Sequence, residues 1–458
     1  MTTQRKFHFK GYWWEYENPD KKVLSTLEII NNEKISLIPG DLFPIKNSVI
    51  TSFMDKIGTV LGETLKKEPI TLLNCEAFMS FNLTSYMALV GEHYKDFKEV
   101  KFKKIKINFS LLNIWAYSDW IKSYSVENNK TIRNYFKKND IAIRIPEFNL
   151  IIDFHFNLKT IGKNQLNKER ITFIAIASKE SKGLKEWWEV VTTLRNFMIL
   201  GLNVPVYPGE FTGITDRQKH VRIYRLSYGY NYNSVAEINR KGILFNLKNI
   251  EDDFSIYLNN WFNKSAMLNR TITNYYSVLN NPDMYNEDKL LNFVSLLEGY
   301  HKYNKKNEVN GINGQEDYED RINKILKDAE KCLEKEQVKF LNDNKNPFGY
   351  EKRLGQRLKE LLNENKALIP LNSEDKNKFI MKVKYTRDFW AHKLAVEENK
   401  LLKGADLAKA VIALEMLLIA CLLREIEFKD DLLIKLFNRD GKFTYFYNNT
   451  LSLFKFKS

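Results

Sequence analysis

The distribution of hydrophobic and polar positions divides the chain into two parts of different character. Over residues 1–180, short runs rich in β-branched and aromatic side chains predict strands. Such runs lie at residues 23–29, 35–38, 70–73, 102–112, 141–145, 150–156 and 171–177. Asn31 and Asn32 separate the first two runs and predict a hairpin. Residues 184–202 have the spacing of a helix, and residues 204–207 and 221–227 predict a further strand pair.

Beyond residue 250 the apolar positions recur with the period of a helix. Four helices are predicted at residues 253–279, 288–303, 322–340 and 350–365. The polar stretch between the second and third, residues 304–320, is predicted to be a surface loop. We expect Asn372 or Ser373 to cap a fifth helix, which residues 403–404 end.

The last helical segment indicates how the second part is organised. Residues 405–426 are apolar on nearly all sides, which is typical of the central helix of a bundle. A β-rich part followed by a helical part predicts an α+β protein of two domains. We place them at residues 1–265, which are β-rich, and residues 266–458, an all-α helical bundle.

The composition is that of a folded protein of a reducing compartment. Hydrophobic residues make up 44% of the 458 residues, enough for a sizeable core. Three widely spaced cysteines argue against a disulfide framework and against a zinc site. No apolar segment follows the basic start, and the apolar run at residues 411–423 is too short to cross a bilayer. We therefore expect a soluble cytoplasmic protein without a membrane segment, a cofactor or a metal.

The net charge of +14 is concentrated in the middle of the chain. Residues 101–270 hold 27 basic and 15 acidic side chains and so carry +12 of that charge. A basic region of this size suits a polyanionic partner such as nucleic acid. The alternative is a set of solvated lysine-rich faces without a specific partner.

Arg387 and His392 are the most informative pair of side chains in the predicted fifth helix. At helical spacing, Arg387 falls on the apolar stripe formed by Ile380, Val383 and Leu394. A guanidinium on such a stripe is costly unless an anionic group meets it. His392 lies on the adjoining stripe, so a permanent cation is placed near a side chain that titrates close to neutral pH.

The spacing of this pair leaves several interpretations open. Residues five apart point about 140° apart on a regular helix. Both therefore reach one ligand only if the arginine stem curls round, if the helix breaks locally, or if a second subunit supplies another copy. In a purely structural interpretation, Arg387 pairs with Glu298 or Glu415, and His392 packs between helices.

An arginine and a histidine are sufficient for RNA cleavage without a metal. A neutral imidazole can take the proton of a ribose 2′-hydroxyl, or an imidazolium can protonate the leaving 5′-oxygen. A guanidinium can hold the phosphate with two hydrogen bonds and stabilise charge in the transition state. The sequence contains no convincing metal-ligand cluster, no Walker phosphate loop and no Gly-x-Ser-x-Gly elbow.

The helical part resembles the HEPN superfamily of helical-bundle ribonucleases. The signature of that family is Arg-x4–6-His on a late helix, usually with a polar residue directly after the arginine. Arg387, Asp388 and His392 match this pattern, and residues 290–301 resemble the first bundle helix. The β-rich part is similar to the N-terminal domain of ApeA-type anti-phage proteins, and the matching segments are residues 11–14, 37–40, 70–75 and 194–201.

The resemblance implies a bacterial defence effector that halts growth when a phage infects. Members of the family act as dimers that combine two Arg/His pairs in one site. The implied catalytic residues are Arg387, His392 and Asp388, with Glu298 either catalytic or an ion-pair partner of Arg387, and with His301 structural. RNA is the implied substrate, with tRNA a first candidate, and the N-terminal domain is expected to sense an unidentified phage component.

Two other functions stay open at this point. One is a catalytically inactive HEPN module that binds nucleic acid or a protein and serves as a sensor or scaffold. The other is a toxin that a separate antitoxin silences. The first would bind RNA without cutting it, and the second would be lethal when expressed alone.

Overall fold

The computed structural model describes residues 6–30, 33–39, 54–78, 82–116, 121–127, 130–135, 138–160, 168–226, 243–305, 312, 314–346 and 348–438. The chain folds as two compact units. Unit 1 comprises residues 1–238 and 245–262, and unit 2 comprises residues 239–244 and 263–458. Among the described residues, no helix is both long and apolar enough to pass through a membrane.

Unit 1 is built around one large sheet. In the described part of the unit the strands are β1 (Lys6–Glu15), β2 (Val23–Ile30), β3 (Lys34–Pro39), β4 (Met54–Thr64), β5 (Pro69–Phe78), β6 (Asn82–Val90), β7 (Lys101–Phe109), β8 (Ile121–Glu127), β9 (Lys130–Tyr135), β10 (Ile141–Ile145), β11 (Leu150–Thr160), β12 (Lys168–Gly183), β13 (Pro208–Ile214) and β14 (His220–Arg225). Twelve of them follow the order β10-β11-β12-β7-β13-β14-β6-β3-β2-β1-β4-β5, and β8 pairs with β9. Because β5 also pairs with β6, the first six strands close into a barrel.

Strand β6 belongs both to the barrel and to the open part of the sheet. One of its edges pairs with β5 along the whole strand. The other edge is divided, since Leu83 and Thr84 pair with β3 whereas residues 87–90 pair with β14. Alternate residues of the barrel strands point inwards and are buried, among them Trp13, Leu27, Leu37, Val60 and Leu72. This period of two explains why the apolar runs of the sequence form strands here.

Helix α1 (Leu112–Trp115), helix α2 (Leu184–Leu202) and helix α3 (Leu247–Ile250) complete unit 1. Helix α2 packs on the open part of the sheet, where the indole nitrogen of Trp187 donates to the carbonyl oxygen of Phe102 at 3.1 Å. The predicted helix at residues 184–202 is confirmed, and so are the seven predicted strand runs, except that the run at residues 102–112 ends at Phe109 and α1 begins at Leu112. The predicted hairpin is confirmed by the antiparallel pairing of β2 and β3, and its turn residues 31 and 32 lie outside the described residues.

The strand predicted at residues 204–207 is wrong. The helix before it ends at Asn203, which takes a left-handed conformation, and the strand begins only at Pro208. Pro205 lies between them and has no N–H group to donate to a neighbouring strand. The partner prediction at residues 221–227 is confirmed over residues 221–225 by β14, and residue 227 lies outside the described residues.

Unit 2 is a helical bundle. In the described residues its helices are α4 (Phe254–Leu279), which begins in unit 1, α5 (Asn286–Asn304), α6 (Gly314–Ala329), α7 (Lys335–Asp343), α8 (Leu354–Glu364), α9 (Ser373–His392), α10 (Gly404–Glu425) and α11 (Asp430–Phe437). Helix α10 packs against α5 and α8, and α9 packs against α5 and α8. Residues 413–423 of α10 are all buried, so the prediction of a central apolar helix is confirmed. The fold class is therefore α+β, with a β-rich first part and a helical second part.

Three predicted boundaries before α9 are wrong, and one of them is the helix at residues 350–365, which begins only at Leu354. The stretch at residues 304–320 is not all loop, because α6 begins at Gly314 and an ion pair between Arg321 and Asp317, 2.8 Å apart, supports its first turns. The helix predicted at residues 322–340 is interrupted between α6 and α7, where Glu334 is the N-cap residue of the second helix and its amide donates to Gln337 Oε1 at 3.1 Å.

Candidate active site

Helix α9 carries the Arg387 to His392 motif. The side-chain oxygen of Asn372 accepts a hydrogen bond from the Asp375 amide at 2.8 Å, so Asn372 is the N-cap. Phe379, Ile380 and Val383 lie on the buried face of the helix. This face holds α9 against the bundle and fixes the direction in which its C-terminal end projects.

The prediction that residues 403–404 end this helix is wrong, because α9 stops at His392. Lys393 takes a left-handed conformation with φ of 52°, and the following chain folds back along the helix. The buried hydroxyl of Thr386 accepts a hydrogen bond from the Leu402 amide at 2.9 Å, and Lys382 donates to the Asn399 carbonyl at 2.6 Å. These tertiary contacts, rather than a glycine, place the helix end directly after the histidine.

Four side chains that the sequence singled out come together at this helix end. Arg387 Nη1 donates to Asp388 Oδ1 at 2.8 Å and lies 3.2 Å from His392 Nε2. Arg387 Nη2 donates to Glu298 Oε2 of α5 at 3.3 Å. The arginine stem therefore curls round to reach the histidine within one chain. Because a guanidinium can only donate, Nε2 of His392 acts as an acceptor in this arrangement.

The expected burial of the Arg387 stripe is only half correct. Ile380 and Val383 are buried, but Arg387 is 29% exposed, and Leu394 beyond it is 51% exposed. Trp390 on the same stripe is 47% exposed. The apolar stripe leaves the core near the C-terminal end of the helix, which stops at His392. Arg387 is thus a partly exposed cation at the edge of the bundle rather than a core residue.

The two carboxylates proposed as partners of Arg387 have different roles. Glu298 contacts the arginine, whereas Glu415 is buried in α10 and accepts a hydrogen bond from the Tyr275 hydroxyl at 3.3 Å. Burial, together with that carboxylate, raises the pKa of Tyr275 well above its ordinary value. Of the two alternatives for pairing with Arg387, the structure has the Glu298 pair.

A second arginine, Arg357 of α8, stands behind Glu298. Arg357 Nη1 lies 3.6 Å from Glu298 Oε1, and its Nη2 donates to Glu351 Oε2 at 2.9 Å. The Glu298 carboxylate therefore meets one guanidinium with each oxygen. Our sequence interpretation missed Arg357, although it bears the same signal as Arg387. It lies at helical spacing within the buried stripe of Leu354 and Leu361 and is only 8% exposed.

His301 of α5 is fully buried. Its Nε2 contacts Glu360 Oε2 of α8 at 2.8 Å. Burial lowers the pKa of His301 below its ordinary range; the cations Lys352 and Arg357 act in the same direction, and Glu360 opposes them. The histidine thus links two helices of the bundle as an uncharged group.

The arrangement combines a cation, an imidazole acceptor and two carboxylates at a solvent-accessible helix end. A guanidinium held by carboxylates is oriented for an anionic ligand such as a phosphate. An exposed imidazole beside it can exchange a proton with a bound group. Among the described residues, no group of three or more His, Cys, Asp or Glu side chains is placed to hold a metal ion.

Comparison with known protein families bears on both units. The model for ApeA N-terminal domain 1 matches residues 8–261, more than half of the chain. The model for Apea-like HEPN matches residues 291–432, which include the motif of α9 and Glu298. No curated protein and no solved structure matches the chain. The first match covers the β-rich unit and the second lies in the helical unit, so the two matches follow the order of the two units. The chain therefore belongs to the ApeA-type proteins, a defence-associated family with a C-terminal HEPN domain of the nuclease class.

Proposed function

We propose that this protein is an anti-phage effector of the abortive-infection type, which cleaves RNA without a metal ion. The observation that carries the proposal is the convergence of Arg387 and His392 at the exposed end of α9, within a domain of the HEPN family. RNA is the substrate, and tRNA is the first candidate. The protein acts in the cytoplasm.

In the proposed reaction the substrate supplies the nucleophile. Nε2 of His392 takes the proton of the ribose 2′-hydroxyl, the 2′-oxygen bonds to phosphorus, and the bond to the 5′-oxygen breaks. A protonated imidazole returns a proton to that oxygen, which leaves a 2′,3′-cyclic phosphate and a 5′-hydroxyl. Arg387 binds the phosphate oxygens and stabilises their growing charge. Asp388 and Glu298 hold its guanidinium in place.

We propose a homodimer as the active form. Trp390 and Leu394 present apolar surface at and beyond the exposed end of α9 and are 47% and 51% exposed. Exposed apolar side chains next to charged ones are typical of an interaction surface. A dimer through this surface would bring two Arg387/His392 pairs together, so that one imidazole serves as the base and the other as the acid.

In this proposal the two parts of the chain have different functions. Residues 1–265 sense a phage component and keep the nuclease inactive until it binds, and residues 266–458 cut RNA. Support comes from the family order of an ApeA domain before the HEPN domain. The chemical nature of the trigger is left open.

The test is cleavage of purified bulk tRNA in EDTA by the full chain purified from phage-infected cells, where the trigger has bound, with analysis of the RNA ends. We expect 2′,3′-cyclic phosphate ends from the wild type and none from Arg387→Ala or His392→Ala. Arg321→Ala, in an exposed ion pair of α6, is the matched control and should cleave normally. Phage protection in cells should be lost in the same two variants. Unchanged cleavage and protection in both would show that the proposed site is wrong.

The competing function is a catalytically inactive module that binds nucleic acid or protein. The observation that favours it is the saturation of Arg387 by Glu298, Asp388 and His392, which suits a purely structural arginine as well. The same experiment separates the two functions. An RNA band that shifts but stays intact at all times would support the binding module.

A further inference from the structure

A cleft between α4 and α5 opens next to the candidate active site. Its volume is about 270 Å³. Glu298 and Arg357, which stand behind Arg387, form part of its wall. The cleft and the Arg387 guanidinium therefore share the Glu298 carboxylate, and a ligand in the cleft lies directly beside any phosphate that Arg387 holds.

The mouth of the cleft carries an exposed aromatic ring and a cation. Tyr303 is 63% exposed. Arg270 of α4 donates to the Tyr303 hydroxyl at 3.3 Å, and its guanidinium carbon lies 5.9 Å from the ring centroid. Among the described side chains, Arg270 has no carboxylate partner within ion-pair distance. An accessible ring beside an unneutralised guanidinium is suited to a nucleobase and its phosphate.

The α5 wall of the cleft lacks a side chain one helical turn before Tyr303. Gly299 lines the cleft, and a Cβ atom built on it would meet no heavy atom within 4 Å. A glycine in the middle of a helix is destabilising relative to alanine. Here it leaves open the space that a larger residue would fill. The polar side chains of Asn274 and Ser295 also line the cleft and can donate to, or accept from, the edge of a base.

The size of the cleft limits what it can hold. Sites for small molecules usually have volumes of about 300–1,000 Å³, and this cleft of about 270 Å³ lies just below that range. One base with its sugar is therefore a suitable occupant, and a longer segment of RNA would have to continue outside. A single nucleotide next to the bond that is cut fits this limit.

We propose that the cleft binds the nucleotide adjacent to the scissile phosphate of an RNA substrate. The base lies against Tyr303, Arg270 binds the neighbouring phosphate, and Asn274 and Ser295 read the base edge. The cleft is thus a specificity subsite of the candidate active site. This inference rests on the proposed function and adds the place at which the RNA is recognised.

The test compares two substitutions of Gly299 in full-length protein that carries His392→Ala, so that bound RNA stays intact. Affinity for fluorescein-labelled bulk tRNA is measured in EDTA by fluorescence anisotropy. Gly299→Leu fills the cleft, and we expect it to weaken binding roughly tenfold, as loss of one stacked base does. Gly299→Ala adds one methyl group in open space and should weaken binding far less than Gly299→Leu. Tyr303→Ala should weaken binding as much as Gly299→Leu. Because Tyr303 is exposed, this variant tests the cleft even if the leucine variant misfolds.

The possible results distinguish failure of the proposed cleft from failure of the proposed nuclease. Normal binding by both Gly299→Leu and Tyr303→Ala, or no binding by the parent protein, would overturn the cleft. A third result is weakened binding in these variants while the otherwise identical protein that retains His392 fails to cut RNA. That result would support the cleft and overturn the nuclease. Displacement of the labelled tRNA by micromolar nucleoside monophosphates would assign the cleft to free nucleotides and overturn its assignment to RNA.

Discussion

The carboxylate of Glu298 bridges two guanidinium groups. One oxygen meets Arg387 at 3.3 Å, and the other meets Arg357 at 3.6 Å. The buried Arg357 holds Glu298 in place, and Glu298 in turn orients the exposed Arg387. Charge-assisted pairs of this kind fix the plane of a guanidinium. Glu298 and Arg357 are therefore better suited to positioning Arg387 than to contacting the substrate.

Arg357 lines the cleft but is none of the four side chains assigned to the nucleotide, so its removal should disturb catalysis through the position of Arg387. Arg357→Met leaves Glu298 and Glu351 without this partner, and we expect a loss of about 1–3 kcal/mol in the free energy of unfolding. We also expect kcat for RNA cleavage to fall about tenfold with little change in KM, the pattern of a misplaced transition-state group. Urea unfolding and steady-state kinetics measure the two effects. Arg353→Met, at the exposed start of α8, is the control, and equal effects of both would contradict the positioning role.

The buried imidazole of His301 should make stability depend on pH. In the unfolded chain its pKa is about 6.5, whereas burial lowers it in the folded state. As the pH falls below about 6.5, the unfolded chain binds a proton first, so the free energy of unfolding decreases, by at most about 1.4 kcal/mol per pH unit. The stabilising contribution is complete above that pH and is lost as the pH falls through the folded pKa.

Replacement of this histidine should remove that dependence. Hydrogen exchange of the α5 amides, measured between pH 5.5 and 7.5, should show a smaller pH dependence of opening in His301→Gln than in the wild type. His155→Gln, which alters a partly exposed histidine in unit 1, is the control. The same pH dependence in all three proteins would show that His301 is not the group responsible.

At the scale of elements, the end of α9 decides the geometry of the site. No glycine or proline marks residue 393, and the helix ends because the chain after it is tied back to Thr386 and Lys382. The regular helix would point residues 387 and 392 about 140° apart. The long arginine stem and the exposed helix end bring them to 3.2 Å.

Loss of the Thr386 hydroxyl should therefore loosen the site from a distance. Thr386→Val leaves the buried Leu402 amide without its acceptor, and we expect a loss of about 1–3 kcal/mol in the free energy of unfolding. RNA cleavage should fall as well, because residues 393–402 no longer hold the helix end. Thr386→Ser keeps the hydroxyl and should behave like the wild type in thermal unfolding and in cleavage. A valine variant as stable and as active as the serine variant would rule out this role.

The strands of unit 1 show which elements local sequence can define. Strand β10 and helix α2 begin and end at the predicted residues, since each has strong periodicity and clear flanking breaks. Strands β4 and β6 were not among the predicted runs. Glycines interrupt the pattern of β4, and β6 has polar residues between its apolar ones and pairs with three other strands. Their stability comes from closure of the barrel, which no short window contains.

At the scale of the whole molecule, the apolar surface on and after α9 supports the proposed dimer. Trp390→Glu places a charge on this surface, and we expect the dimer to weaken at least about 30-fold, as at an interface hot spot. RNA cleavage should be lost in parallel if the site is composite. Tyr285→Glu, at a residue that is 78% exposed before α5, is the control. Analytical ultracentrifugation with cleavage assays on the same samples provides the measurement, and an active monomer would refute the composite site.

The sequence by itself determined the fold class and the order of the two parts, and it singled out the Arg387 to His392 motif as the candidate site. It could do so because helix and strand periods and a motif of six residues are local properties. The tertiary structure alone decided that Glu298, and not Glu415, meets Arg387, that Arg357 stands behind Glu298, and that a cleft opens beside them. These contacts join residues far apart in the chain, such as 298 and 387. Which distant side chains meet depends on how the helices pack, and no periodicity encodes that packing.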